Sequence, residues 1–133
     1  MTEKKSTRYF QAKGGRKTAN ASARVFSGKG LKVNNKDYKE YFKTSRNQIV
    51  AFAPFETSDL KERMGASVMV HGGGINGQAD AVRNAIARAI VKMEPELRKL
   101  IKPTGFLTRD SRIVERKKYG LHKARRAPQW AKR

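Results

Sequence analysis

The chain has 133 residues and no cysteine, and its 31 Lys and Arg stand against 11 Asp and Glu, a net charge of +20 with a pI near 10.8. A disulfide framework and a thiolate site are therefore excluded. No apolar run has the length of a membrane span, and the polar start Met1-Thr2-Glu3-Lys4-Lys5 has no apolar signal region behind it. With neither span nor signal region the cytoplasm is the location expected by default, and charge of this size exceeds what solubility requires, so nucleic acid is the expected partner.

In chain order, residues 1–7 are polar and expected to be loose. Residues 8–108 hold the apolar residues for one modest core, a single globular domain. Arg8 to Lys13 reads as a strand ending at Gly14-Gly15. Lys13, Arg16, Lys17 and Arg24 then lie in or beside a stretch rich in Ala, Ser, Thr and Asn, small enough for close approach to a phosphate backbone. A plain solvated loop is the competing reading. From Ala23 to Asn34 the pattern is a hairpin, Val25-Phe26 against Leu31 and Val33, turning at Ser27-Gly28-Lys29-Gly30. Asn34 or Asn35 caps a short helix through Phe42, and Ser45 with Gln48 forms a capping box for a second, stopped near Ala53 by Pro54. A further helical piece runs from Ser58 or Asp59 to Met64.

Ala66 to His71 is a strand whose consecutive Val68, Met69 and Val70 predict a central position with both faces covered. After Gly72-Gly73-Gly74-Ile75-Asn76-Gly77, a helix from about Gln78 to Met93 puts Ala79, Val82, Ile86, Ala89, Ile90 and Met93 on one arc. Asp80, Arg83, Asn84, Arg88 and Lys92 take the other, basic side. Gly72, Gly74 and Gly77 match the spacing of a dinucleotide-binding loop, but no second strand with an acidic end follows; instead Glu94 to Leu100 starts another helix. The glycines are therefore read as a tight strand-to-helix turn. Phe106-Leu107 is either a last strand or an anchor. The two histidines lie in unlike settings and the carboxylates are scattered among cations, so no catalytic grouping, metal site, cofactor or small-molecule substrate is expected.

Residues 109–133 form a basic tail. Arg109, Arg112, Arg116, Lys117, Lys118, Lys123, Arg125, Arg126, Lys132 and Arg133 face only Asp110 and Glu115, a local balance of +8 that leaves +12 on the first 108 residues. Its apolar residues keep neither helical nor strand period, so the tail is expected to be disordered alone and ordered on a polyanion. A merely solubilising tail is the bland alternative. Against it, Tyr119, His122 and Trp130 interleave the cations as flat rings able to stack on bases, Tyr119 and Trp130 being the stacking candidates. Gly120 and Pro128 punctuate the path, and Arg125-Arg126 suits phosphate oxygens. The expected phosphate contacts are Lys13, Arg16, Lys17, Arg83 and Arg88 on the domain, with Arg109, Arg112, Arg116, Lys117, Lys118, Lys123, Arg125 and Arg126 on the tail.

Gly72-Gly73-Gly74-Ile75-Asn76-Gly77-Gln78-Ala79, Ala87-Arg88-Ala89-Ile90, Leu107-Thr108-Arg109-Asp110-Ser111-Arg112, Val114-Glu115-Arg116-Lys117-Lys118-Tyr119-Gly120 and Lys123-Ala124-Arg125-Arg126-Ala127-Pro128-Gln129 together resemble the small-subunit ribosomal protein S-nine family, bacterial type. The match runs from about Tyr9 onward. The resemblance implies an α+β fold, with helices packed on a four-stranded sheet and a left-handed βαβ crossover, beside an extended basic C-terminal tail. It also implies binding to ribosomal RNA in the head of the small subunit, among neighbouring head proteins. The tail would thread the RNA so that Lys132 and Arg133 reach the transfer RNA in the P site. Trp130 stands where Phe is more usual and Ala131 where Ser is.

Two other classes fit the charge less well. A free-standing RNA chaperone or DNA-compacting protein would use the same cations, but no helix-turn-helix, zinc-finger or RNA-recognition-motif signature is present. A peripheral membrane binder needs bulky apolar residues on an amphipathic helix beside the basic block, and the tail lacks one.

Overall fold

The computed structural model describes residues 8–132; the N-terminal segment expected to be loose lies outside the described residues. Two long strands, β1 (Tyr9–Arg16) and β2 (Ala19–Ser27), form an antiparallel hairpin around Lys17-Thr18, with Lys17 in the left-handed region at φ 53°. The chain continues through β3 (Leu31–Val33), β4 (Lys36–Asp37), α1 (Tyr38–Tyr41), α2 (Ser45–Thr57), β5 (Met64–His71), α3 (Ile75–Met93) and α4 (Arg98–Ile101). The sheet order is β1-β2-β5-β3-β4, all pairs antiparallel except β3 with β5. The fold is α+β as expected, with five strands rather than four because the short β4 adds an outer edge to β3. The parallel β3 and β5 are joined through β4, α1 and α2, which is a βαβ crossover carrying an added hairpin.

Several local expectations change in the presence of the sheet. β2 and β3 do not pair as a hairpin, because β5 inserts between them and bonds to both. Asn34 and Asn35 cap no helix; at φ 50° and 67° they make the two-residue turn between β3 and β4, a conformation Asn tolerates. Asn34 also extends the pairing past β3, its side chain accepting from Val70 N and donating to Val70 O, both at 2.9 Å. The α1 cap is Asp37, which accepts from Lys39 N. Gln48 does not box the α2 N-terminus but donates to Phe42 O at 2.7 Å. Pro54 sits inside α2 instead of ending it, and the segment after Ser58 turns directly into β5.

One layer of helices covers one face of the sheet. α3 lies across β1 and β2, and α2 packs beside α3. The seam between them is built of small residues: Ala19, Ala21 and Ala23 alternate inward along β2 against Ala81, Ala85 and Ala89 of α3, all buried. Gly14 makes the closest approach. A Cβ there would stand 2.4 Å from Ala85 N and 2.8 Å from Ala81 O, so β1 runs straight through Gly14-Gly15 under the helix instead of ending there. The bulk of the core lies toward the crossover, where Phe42, Phe55, Leu31, Ile86, Ile90 and Ile101 are buried and Tyr38 stacks on Phe52 at 5.3 Å. β5 is central but covered on one face only: Val68 and Val70 are inside, Met69 is outside.

The glycine-rich loop is a packing device. Gly72, at φ 77°, crosses the β1–β2 turn so closely that a Cβ would meet Thr18 O at 2.6 Å. Gln78 folds back into the loop, donating to Gly72 O and accepting from the Tyr41 hydroxyl at 2.6 Å.

Replacing Gly14 with alanine is expected to destabilise the domain by about 1–3 kcal/mol or more, since the helix backbone cannot yield. Gly74→Ser, at the α3 N-cap with open space around it, should be neutral or stabilising by about a few tenths of a kcal/mol. Urea unfolding midpoints of the two variants check the contrast.

Candidate nucleic-acid interface

The junction between domain and tail is held by side chains from three parts of the chain. Arg16, at the end of β1, donates from Nη1 to Asp110 Oδ2 at 2.7 Å and lies 3.5 Å from Asp80 Oδ2 of α3. Arg83, one turn along α3, reaches the other Asp80 oxygen at 3.5 Å and lies over the Phe106 ring, 5.1 Å from its centroid. Asn84, expected on the solvent side of α3, is buried and donates to Phe106 O at 2.9 Å. Phe106 and Leu107 are thus an anchor and not a strand. Asp110 also accepts from Arg112 N and from the Arg112 guanidinium at 2.7–3.1 Å. The Arg112 hydrogen bonds, with the nearby charges of Arg112 and Arg16, hold the Asp110 carboxyl well below the usual carboxylate range, and Asp110 in turn raises Arg112.

The other domain cations converge beside this knot. Lys13, Arg88 and Arg109 surround a hollow of about 170 Å³ floored by Gly14 and Gly15. Arg88 Nη1 donates to Lys13 O at 3.1 Å and Arg109 Nη2 to Lys17 O at 3.2 Å, fixing both guanidinium groups at the rim. Lys92 likewise donates to Gln11 O, and with Arg98 it extends the basic surface around a second hollow floored by Val91 and Leu107. Of the six expected cations at or before Arg109, Lys13, Arg88 and Arg109 therefore share one surface, next to Lys17, whose carbonyl Arg109 holds. Arg16 and Arg83 are instead paired with carboxylates, and their Nε atoms, like Asn84 Oδ1, are buried without a protein partner.

Beyond Arg112 the described residues of the tail form neither helix nor strand. Glu115 pairs with Lys118 and, at 3.0 Å, with Arg125, while His122 N donates to Arg126 O at 2.7 Å, closing a loop over 115–126. Arg116, Lys117, Lys123, Arg126 and Lys132 have no carboxylate partner among the described residues. Tyr119 is 100% exposed within this loop and Trp130 is 82% exposed, so both rings are free to stack. Of the terminal pair, Lys132 is exposed and Arg133 lies outside the described residues.

Cations on a folded edge, continued by a tail carrying unpaired cations and bare rings, form a polycationic surface. The family of ribosomal protein S9/S16 matches residues 14–133. The chain belongs to that family. It is 50% identical over 116 residues to the small ribosomal subunit protein uS9 of a Thermus thermophilus strain, covering 85% of this chain and 91% of that one. It is 45% identical over 129 residues to the uS9 protein of Lawsonia intracellularis, covering 96% and 99%. Within this S9/S16 member, the residues missed on sequence grounds are Asp80 and Asp110. The available signal was scarcity: a carboxylate flanked by arginines in so basic a chain needs a reason.

Asp110→Asn is expected to free the tail root, speeding trypsin cleavage after Arg109 and Arg112 several-fold while leaving the thermal midpoint nearly unchanged. Because the Asp110 pKa is depressed, its contribution is complete above the usual carboxylate range and is lost only as pH falls through the lowered value. The Arg112 amide resonance should therefore hold its position from about pH 8 down to about pH 3, below the point at which an ordinary carboxylate titrates.

Proposed function

We propose that this chain binds small-subunit ribosomal RNA through the rim of Lys13, Lys17, Arg88 and Arg109, and that its tail continues across the RNA to the transfer RNA in the P site. Family membership makes it a structural, non-enzymatic component of the small ribosomal subunit. The observation that carries the finer reading is the tail itself, rooted at Asp110 and thereafter bearing unpaired cations and two bare aromatic rings.

The chemistry is that of phosphate neutralisation. Guanidinium forks and ammonium groups supply charge-assisted bonds to phosphate oxygens, and Tyr119 and Trp130 supply stacking faces for unpaired bases. Sequence discrimination is slight, because folded RNA is met mainly by shape and backbone. From Arg109, twenty-four peptide steps span at most about 80 Å, enough to leave the domain and reach a distant anion. Lys132 and Arg133 end that path, and transfer RNA is their proposed partner.

Truncation after Arg112 keeps the Asp110 knot and removes the last eight cations. At roughly 0.7 per cation, the slope of log K against log[salt] for single-stranded or folded RNA should fall by about 5 to 6. An unchanged slope would mean that the tail contacts are not electrostatic.

Removing only Lys132 and Arg133 should leave assembly into small subunits intact and weaken P-site transfer RNA by roughly 1–3 kcal/mol, the scale of one or two charge-assisted hydrogen bonds. Filter binding of transfer RNA to subunits carrying either form, at fixed magnesium and salt, measures this. Equal affinities would refute the reach.

A further inference from the structure

We propose that the uncovered face of the sheet is a second RNA-docking surface, taking an irregular or single-stranded segment of the same ribosomal RNA; this rests on the ribosomal reading above. Strand alternation turns Lys13, Arg24, Met69 and His71 away from α3, and the register sets them in rows. Lys13 lies opposite Ser22, which lies opposite Met69, and Asn20 lies opposite His71. These five side chains line a hollow of about 380 Å³, a volume that suits a nucleotide. Beside it, Tyr9, Arg24, Phe26 and Ser67 line a second of about 260 Å³.

The composition of the face selects the ligand. The sheet carries a single carboxylate, Asp37 on the outer strand β4, which lies opposite Lys32 and caps α1, whereas β1, β2, β3 and β5 have none and Lys13, Arg24 and Lys32 are all exposed on this side. A merely solvated face would interleave both signs. The centre of a protein docking patch would be depleted of charge, and this one is not. What it offers is cations for phosphates, Asn20, Ser22 and His71 for base edges or ribose hydroxyls, and flat or polarisable surface for stacking. Arg24 already lies 5.0 Å over the Tyr9 ring, a preformed plate onto which a base can be added. Tyr9 is 48% and Met69 58% exposed, and no described helix or loop covers either. A sheet bearing rings and cations on its open side is a known way to hold unpaired RNA.

The test uses the full chain, whose lack of cysteine makes the thiol introduced by Met69→Cys unique. In small subunits reconstituted with this variant, alkylation of that thiol should be at least about tenfold slower than in the free protein, because reactivity follows access. A short benzophenone maleimide attached to it should crosslink to RNA, as judged by sensitivity of the adduct to nuclease. Arg24→Glu with Lys32→Glu, both on exposed side chains, should weaken binding to small-subunit RNA about tenfold with an unchanged thermal midpoint. An introduced thiol equally reactive in both states, or adducts only to protein, would overturn the inference while leaving the ribosomal reading intact. A wild-type chain that fails to sediment with small subunits would sink both.

Discussion

Everything in this molecule depends on how closely α3 lies on the β1–β2 hairpin. Side-chain volume normally keeps the backbone of a helix clear of the sheet it packs on, and here Gly14 and the facing alanines let the backbones themselves meet. Alanine contributes little apolar area per residue, so this seam gains mainly from dense contact, and larger residues at the crossover supply most of the hydrophobic burial. The close approach also determines the chemistry. With α3 raised by one methyl layer, Asp80 would lose Arg16 and Arg88 would no longer reach the β1 backbone.

The knot at the tail root is a positioning device more than a source of stability. Burying guanidinium Nε atoms without partners is costly, and charged pairs shielded from water recover only part of their desolvation. What the arrangement achieves is geometric. A tail of net +8 is repelled by a domain of net +12, so nothing nonspecific would hold its first residues in place. Two carboxylates, one on α3 and one on the tail, gripping the same arginine, convert that repulsion into a defined point of departure.

The long α3 was legible because its apolar residues recur at helical spacing over five turns, and β5 was legible because valines cluster between turn residues. The tail was read from its charge together with the want of any helical or strand period and the rings set among its cations. Only the end of β2, Val25-Phe26, was legible; its first half was not, since Ala19, Ala21 and Ala23 point inward and alternating alanines barely register as hydrophobic, and since Lys17-Thr18 carries no Gly, Pro or Asn to announce a turn. The insertion of β5 between β2 and β3 is a non-local choice that no local pattern encodes. Of the candidate interface, the cations could be named in advance but not sorted. Arg16 and Arg88 look alike in sequence, and only the fold shows one turned to Asp80 and Asp110 and the other to the rim.

β1 is an edge strand of eight residues, and such an edge is normally open to pairing with any extended chain it meets. Here Lys92 and Arg88 reach over and occupy the carbonyl oxygens of Gln11 and Lys13, and Arg109 holds the Lys17 carbonyl in the turn beyond. An incoming strand would have to displace two cations before forming a ladder, and a second copy would bring its own cations to the same place. The groups that make the rim attractive to a polyanion therefore also keep copies of the protein from adding edge to edge while they are free in solution.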